Sequence, residues 1–92
     1  LDFEWDPAKA TANLVKHKVS FEDAATVFGD PLGSIVADPR HSFQERRFVL
    51  LGLSRGGHLL AVMYADRGQA IRIISARRAT GSEQRNYEEN AR

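Results

Sequence analysis

Arginine supplies most of the chemistry that this chain can offer. Arg46 and Arg47 stand side by side, Arg72 sits inside the stretch QAIRIISARRA (residues 69–79), and Arg77 and Arg78 mark its exit. A guanidinium group is permanently charged, and its planar fork pairs two oxygens of a phosphate or carboxylate at once. Charge in the middle of a strand is costly to bury unpaired, so the face carrying Arg72 is expected to lie open to solvent or to an anionic ligand. Strict alternation along 69–79 would place Arg77 with Ile71 and Ile73, and Arg72 with Arg78 on the other face. The plainer reading, a solvated surface of mixed charge, carries about equal weight on composition alone.

The formal net charge is only +1, from 13 Lys and Arg against 12 Asp and Glu. Its distribution is uneven, because arginines crowd the middle (Arg46, Arg47, Arg55, Arg67, Arg72, Arg77, Arg78) while acids collect near both ends. That pattern suits one positive surface set against an anionic partner. A chain of 92 residues is expected to form a single domain over 1–92, close to the lower limit for a core without disulfides or metal. The absence of cysteine excludes a disulfide scaffold, a thiolate zinc site and a cysteine nucleophile. His17, His41 and His58 are scattered, so neither a metal site nor a cofactor is expected. No apolar run approaches the roughly 18 residues of a membrane span, and no signal-like segment opens the chain. A soluble cytoplasmic protein without membrane contact is the expectation.

The elements that must position the arginines can be read in order. LDFEW (residues 1–5) is a small edge strand or an extended lead-in anchored by Phe3 and Trp5. Asp6 followed by Pro7 announces a helix from Pro7 to about His17, since aspartate caps the first turn and proline at the first position sacrifices no hydrogen bond. Ala8, Ala12 and Val15, with Leu14 beside them, form its apolar stripe, leaving Lys9, Asn13 and Lys16 on other faces. Ser20 with Asp23 resembles a capping box, and Phe21, Ala24, Ala25 and Phe28 follow at helical spacing. Gly29 and Pro31 end that second helix, with glycine as a left-handed cap.

Residues 34–37 read as a short strand. The run 46–54 has a nearly all-apolar core, FVLLGL, and reads as a buried strand. Arg55, Gly56 and Gly57 turn the chain into 58–65, where Leu60, Val62 and Tyr64 alternate with Leu59, Ala61 and Met63. A second turn, Asp66 to Gly68, leads into 69–79. Thr80 with Glu83 forms a capping box for a polar helix over 81–91, in which Tyr87 and Ala91 are the only apolar anchors. The sum is an α+β domain: two N-terminal helices packed on a three- or four-stranded antiparallel sheet, with a C-terminal helix.

Three segments, FEWDPAKATANLVKHKVSFEDAATVFGDP, DPRHSFQERRFVLLGLS and IRIISARRATGSEQRNYE, together cover nearly the whole chain. In combination they resemble the BrnT family of ribonuclease toxins from type II toxin–antitoxin systems. The resemblance implies a RelE-like fold, metal-independent RNA cleavage that inhibits translation, and neutralisation by a BrnA-type antitoxin with a ribbon-helix-helix domain. DNA would then be bound indirectly, through that antitoxin, in autoregulation of the operon.

Metal-free RNA cleavage requires a deprotonated 2′-hydroxyl, stabilised charge on phosphorus and a protonated leaving oxygen. Arg46, Arg72, Arg77 and Arg78 can supply the charge, Glu45 is the favoured acid–base partner, and His41 is the alternative. A plain salt bridge across the sheet is at least as good a reading of Glu45. Arg47 is a further RNA contact. Tyr64 could stack on a nucleobase or pack across strands with equal weight. Lys9, Lys16 and Lys18 could touch RNA, although the wet side of a helix is the favoured reading for all three. His17 reads as a C-terminal cap or surface residue, His58 as solvated, and Trp5 as an anchor for the first helix. The competing function is a non-catalytic module that binds RNA or antitoxin as a corepressor. A metal-dependent nuclease is disfavoured because no strand carries a cluster of carboxylates.

Overall fold

The computed structural model describes residues 1–37 and 46–91. Its elements are β1 (Asp2–Glu4), α1 (Pro7–His17), α2 (Phe21–Thr26), a 3-10 turn (Val27–Gly29), β2 (Ser34–Ala37), β3 (Arg47–Leu53), β4 (Leu59–Asp66), β5 (Ala70–Arg78) and α3 (Gly81–Asn90). The strands form one five-stranded sheet in the order β1-β5-β4-β3-β2. β1 runs parallel to β5, and the other neighbours are antiparallel. The sheet is therefore mixed, not the three- or four-stranded antiparallel sheet read from the sequence. The difference lies in LDFEW, which is too short to declare its partner but pairs Phe3 with Ile71. Among the described residues no helix is long and apolar enough to cross a membrane.

α2 and the 3-10 turn lie on one face of the sheet. Phe21, Ala24 and Val27 are completely buried there, against Leu50, Leu60, Val62, Tyr64, Ile71, Ile73 and Ala76. Burying a side chain the size of Phe21 contributes about 1.5–3 kcal/mol, so this cluster dominates the stability of a small fold. Trp5 packs edge-on against Phe21 with ring centroids 5.8 Å apart, so its ring contact is with α2 and not with the first helix, for which the sequence made it an anchor. α2 gives way to the 3-10 turn at Val27, and Gly29 does not take the left-handed conformation assigned to it. The left-handed residue after a helix is instead Lys18 (φ 61°), at the end of α1.

α1 departs further from expectation. Its one buried residue is Asn13, whereas Leu14 and Val15 are 50% and 67% exposed. Asn13 donates to the Ala76 and Val19 carbonyls at 2.8 and 3.0 Å, and its Oδ1 accepts from the Ala76 N–H at 3.1 Å. β1 pairs with β5 only as far as Arg72, and beyond it the Asn13 amide serves Ala76 as a strand neighbour would. The helix is thus turned by a polar anchor rather than by its alanine stripe, whose Ala8, Ala12 and Val15 face outward.

β5 contains a bulge. Tyr64 lies opposite Ile73 and Met63 opposite Ser75, which leaves Ile74 as an extra residue. The side-chain alternation shifts by one at that point. Ile71, Ile73 and Ala76 all enter the core, and Arg72, Ser75 and Arg77 share the opposite face.

Candidate RNA-contacting surface

The sheet face turned away from α2 carries the charge. Arg47 on β3 lies opposite Ala65 on β4, and Ala65 lies opposite Arg72 on β5, so the two arginines flank one alanine in a single row. Two strand spacings separate them, about 10 Å between backbones, a gap that two guanidinium forks can close around one phosphate. Ala65 is fully buried, and its small side chain leaves the space above β4 to its long neighbours. Glu4 continues the row on β1, where it accepts from Arg72 Nη1 at 3.5 Å. Both partners of that pair are about a third exposed or more, so solvent screens it.

At the other end of the same face, Arg77 is held by α3. Its Nη1 and Nη2 donate to the two Glu83 carboxylate oxygens at 2.7 and 3.1 Å, and Nη1 also reaches the Arg78 carbonyl at 3.3 Å. The hydrogen bond from Arg77 holds the Glu83 carboxyl below its ordinary range, and Glu83 in turn raises Arg77. Thr80 and Glu83 complete the capping box expected from the sequence. One turn further on, the Tyr87 hydroxyl donates to Asp30 Oδ2 at 2.6 Å, which pushes Tyr87 up to about 12. α3 has no buried residue, so these two polar contacts fasten it to the sheet.

The remaining candidates disperse. Arg46 stacks over the Phe48 ring, 5.5 Å from its centroid, and Phe48 faces the helix side with Tyr64. Arg78 is exposed opposite Leu60 and so also belongs to the helix side of β5, at the far end from Arg72. The alternation read from the sequence is corrected accordingly: Arg72 and Arg77 share a face, and Arg78 lies on the other. Tyr64 is buried between Phe28 and Phe48, at centroid distances of 5.0 and 5.5 Å, which gives it the cross-strand packing role of the two read from the sequence. Burial first, then the Asp66 charge, raises its hydroxyl pKa. Lys16 is exposed on α1. Glu45 and His41 lie outside the described residues.

His58 is not simply solvated. Its Nδ1 lies 3.2 Å from Asp23 Oδ2, and Asp23 Oδ1 accepts from the Gly56 N–H at 3.1 Å. Burial alone would raise Asp23, but His58, Ser54 and Gly56 together hold it below its ordinary value. The Asp23 backbone N–H does donate to Ser20 Oγ at 3.0 Å, as in a capping box. Its carboxylate goes instead to the β3–β4 hairpin, which Thr26 also grips by accepting the Arg55 N–H at 2.8 Å. Among the described residues no three His, Asp or Glu side chains gather closely enough to hold a metal ion.

Residues 5–83 match a family model described as the ribonuclease toxin BrnT of type II toxin–antitoxin systems. The fold is similar to the 1.1 Å crystal structure of the Brucella abortus ribonuclease toxin BrnT, with a TM-score of 0.63 and 25% sequence identity over 87% of this chain and 97% of that one. No curated protein matches the sequence.

Proposed function

Because this chain belongs to the BrnT family of ribonuclease toxins of type II toxin–antitoxin systems, we propose that it is a metal-independent endoribonuclease whose cleavage of RNA inhibits translation. The observation that carries this reading is the Arg47–Ala65–Arg72 row on the face free of α2. In the proposed step the 2′-oxygen attacks phosphorus and the bond from phosphorus to the 5′-oxygen breaks. The 2′-hydroxyl proton passes to a base, for which Glu45 is the leading candidate and His41 the alternative, and the 5′-oxygen gains a proton. The products are a 2′,3′-cyclic phosphate and a 5′-hydroxyl. Arg72, with Arg47 across Ala65, stabilises the charge that builds on the non-bridging oxygens. The positive charge comes from guanidinium groups, so the step needs no metal.

A toxin of this class has an antitoxin partner, and we take it to be of the BrnA type, with a ribbon-helix-helix domain that carries the complex to DNA. A sheet packed on N-terminal helices, with a further helix after the last strand, supports a RelE-like relationship, and the cytoplasmic site of action follows from the proposed substrate, the RNA that the cell translates. A second reading is a binding module that acts as a corepressor. The bidentate Arg77–Glu83 pair favours it locally, because an arginine so engaged positions α3 and is not open to a phosphate.

Incubating the purified chain with RNA in excess EDTA tests the proposal. Fragments with cyclic phosphate ends, lost on Arg72→Ala with the fold intact, are the expected result. RNA that is shifted in a gel but never cut would establish the binding module instead, and cleavage abolished by EDTA would overturn metal independence.

A further inference from the structure

Helix α1 meets the outer edge of β5 in an open groove of about 200 Å³, lined by Lys9, Ala12, Asn13, Lys16, His17, Ile74 and Ser75. The groove follows from the way α1 is turned. Asn13 is tied to Ala76 and Val19, and residues 9, 16 and 17 stand four before, three after and four after it, on the same side of the helix. The lining holds three basic side chains and no acid. None of the three makes a side-chain hydrogen bond or ion pair with a described residue, in contrast to Arg72 and Arg77, which each have a carboxylate. Ser75 joins the groove to the arginine-bearing face, because it points the same way as Arg72 and Arg77 and lies between them on β5.

We infer that this groove is a second phosphodiester-binding site, which holds the backbone of single-stranded RNA as it leaves the arginine row. Uncompensated cations in a concavity attract the most highly charged polymer available, and their continuity with Arg72 through Ser75 lets one strand engage both. The Asn13 amide spends its donors and acceptor on the protein, so it fixes the shape of the groove without contacting the ligand. Lys9 and Lys16 act as mobile point charges toward phosphate oxygens, and His17 adds a ring N–H donor. The site carries no base-edge reader, so the binding it supplies is indifferent to sequence. This inference rests on the reading of RNA as substrate, and its test separates the two.

The probe is a fluorescently labelled single-stranded RNA of mixed sequence, with 2′-deoxy substitution to block cleavage, titrated with the full chain by anisotropy over a range of salt. Lys9→Gln with Lys16→Gln should weaken binding by roughly tenfold or more at low salt and reduce the slope of log affinity against log salt by about 1.4, about 0.7 for each lost phosphate contact on a single strand. Lys18→Asn, which removes one charge outside the groove at a left-handed position, should leave both quantities unchanged. Both lysines are exposed, and unchanged thermal melting of the double variant is the expected control. Binding and slope equal to the parent's would overturn the inference even if the chain cleaves RNA. RNA binding that is weaker for the double variant than for the parent, in a parent chain that never cuts RNA, would uphold the groove while refuting the nuclease. A double variant that loses only an acidic protein partner, with RNA binding intact, would also overturn it.

Discussion

The Tyr87 hydroxyl and Asp30 Oδ2 meet at 2.6 Å across 57 positions of sequence, joining α3 to the loop that follows the 3-10 turn. Asp30 is a hub: the same carboxylate accepts from the Leu53 N–H at 2.8 Å and from the Leu32 N–H at 2.9 Å. Burial acts to raise its pKa, and these three donors outweigh it, so the carboxyl is held below its ordinary value. The end of β3, the start of the loop and the last helix are therefore fastened by one acid.

Tyr87 should ionise near pH 12 in the folded chain, well above an ordinary phenol, and Tyr64 should also ionise late. A raised folded pKa of this kind means that the stabilisation is complete below about pH 10 and is lost as pH rises towards 12. Tyrosinate absorbance followed against pH, with Tyr64→Phe to isolate Tyr87, checks it; ionisation of Tyr87 near 10 would contradict the geometry. Tyr87→Phe should cost only about 0.5–1.5 kcal/mol, because Asp30 keeps its two backbone donors.

Acid should release α3 before the core melts. Glu83 and Asp30 both have depressed pKa values, so each adds stability above the unfolded carboxylate range and loses it as pH falls through the lower, folded value. Hydrogen exchange along Gly81–Asn90 should therefore accelerate on acidification while β4 and β5 remain protected. Glu83→Gln should produce the same loosening at neutral pH.

Asn13→Ala should be among the most damaging substitutions in α1, although the residue is polar. It leaves the Ala76 N–H and two buried carbonyls without their partner, a loss of about 2–4 kcal/mol. Urea unfolding gives the value. Leu14→Ala and Val15→Ala, on the exposed side, should change it little.

Gly52→Ala should destabilise the sheet by about 1–3 kcal/mol through overpacking. A methyl group there would stand 2.8 Å from Val27 Cγ1 and 3.2 Å from Asp30 Oδ2. The melting temperature of the variant measures the effect, and its partial recovery on Val27→Ala would identify the clash.

Arginines on opposite faces should separate in an RNA cleavage assay. Arg72→Ala is expected to lower the rate roughly 10²–10³-fold, the range for removal of one donor to a developing oxyanion. Arg46→Ala and Arg78→Ala, on the helix side, should leave it near that of the parent chain. Equal losses at all three positions would show that the row is not the reacting surface.

Much of this architecture was legible because alternation and capping are local signals. Asp6–Pro7, Thr80–Glu83 and the alternation of Leu60, Val62 and Tyr64 each declare themselves within a few residues. What escaped depends on distant partners. The alanine stripe of α1 looks like a core face until Asn13 finds Ala76, and Asp23 looks like a simple cap residue until the β3–β4 hairpin arrives to take its carboxylate. The placement of the arginines on the sheet was half legible. Arg47 and Arg72 do share a row, while Arg46 and Arg78 lie on the other side and Arg77 belongs to α3. The basic groove was hidden because lysines on a helix usually face water, and only the tilt imposed by Asn13 gathers them.

The extra residue at Ile74 means that β5 is two short strands spliced out of phase. Without the bulge, strict alternation through all nine residues would act like a frameshift in space: every side chain downstream would exchange inside for outside, sending Ala76 to the solvent and Arg77 into the hydrocarbon interior. One insertion therefore lets a single nine-residue segment hold an unbroken apolar underside while presenting two guanidinium groups, at an odd separation of five, from the same upper surface.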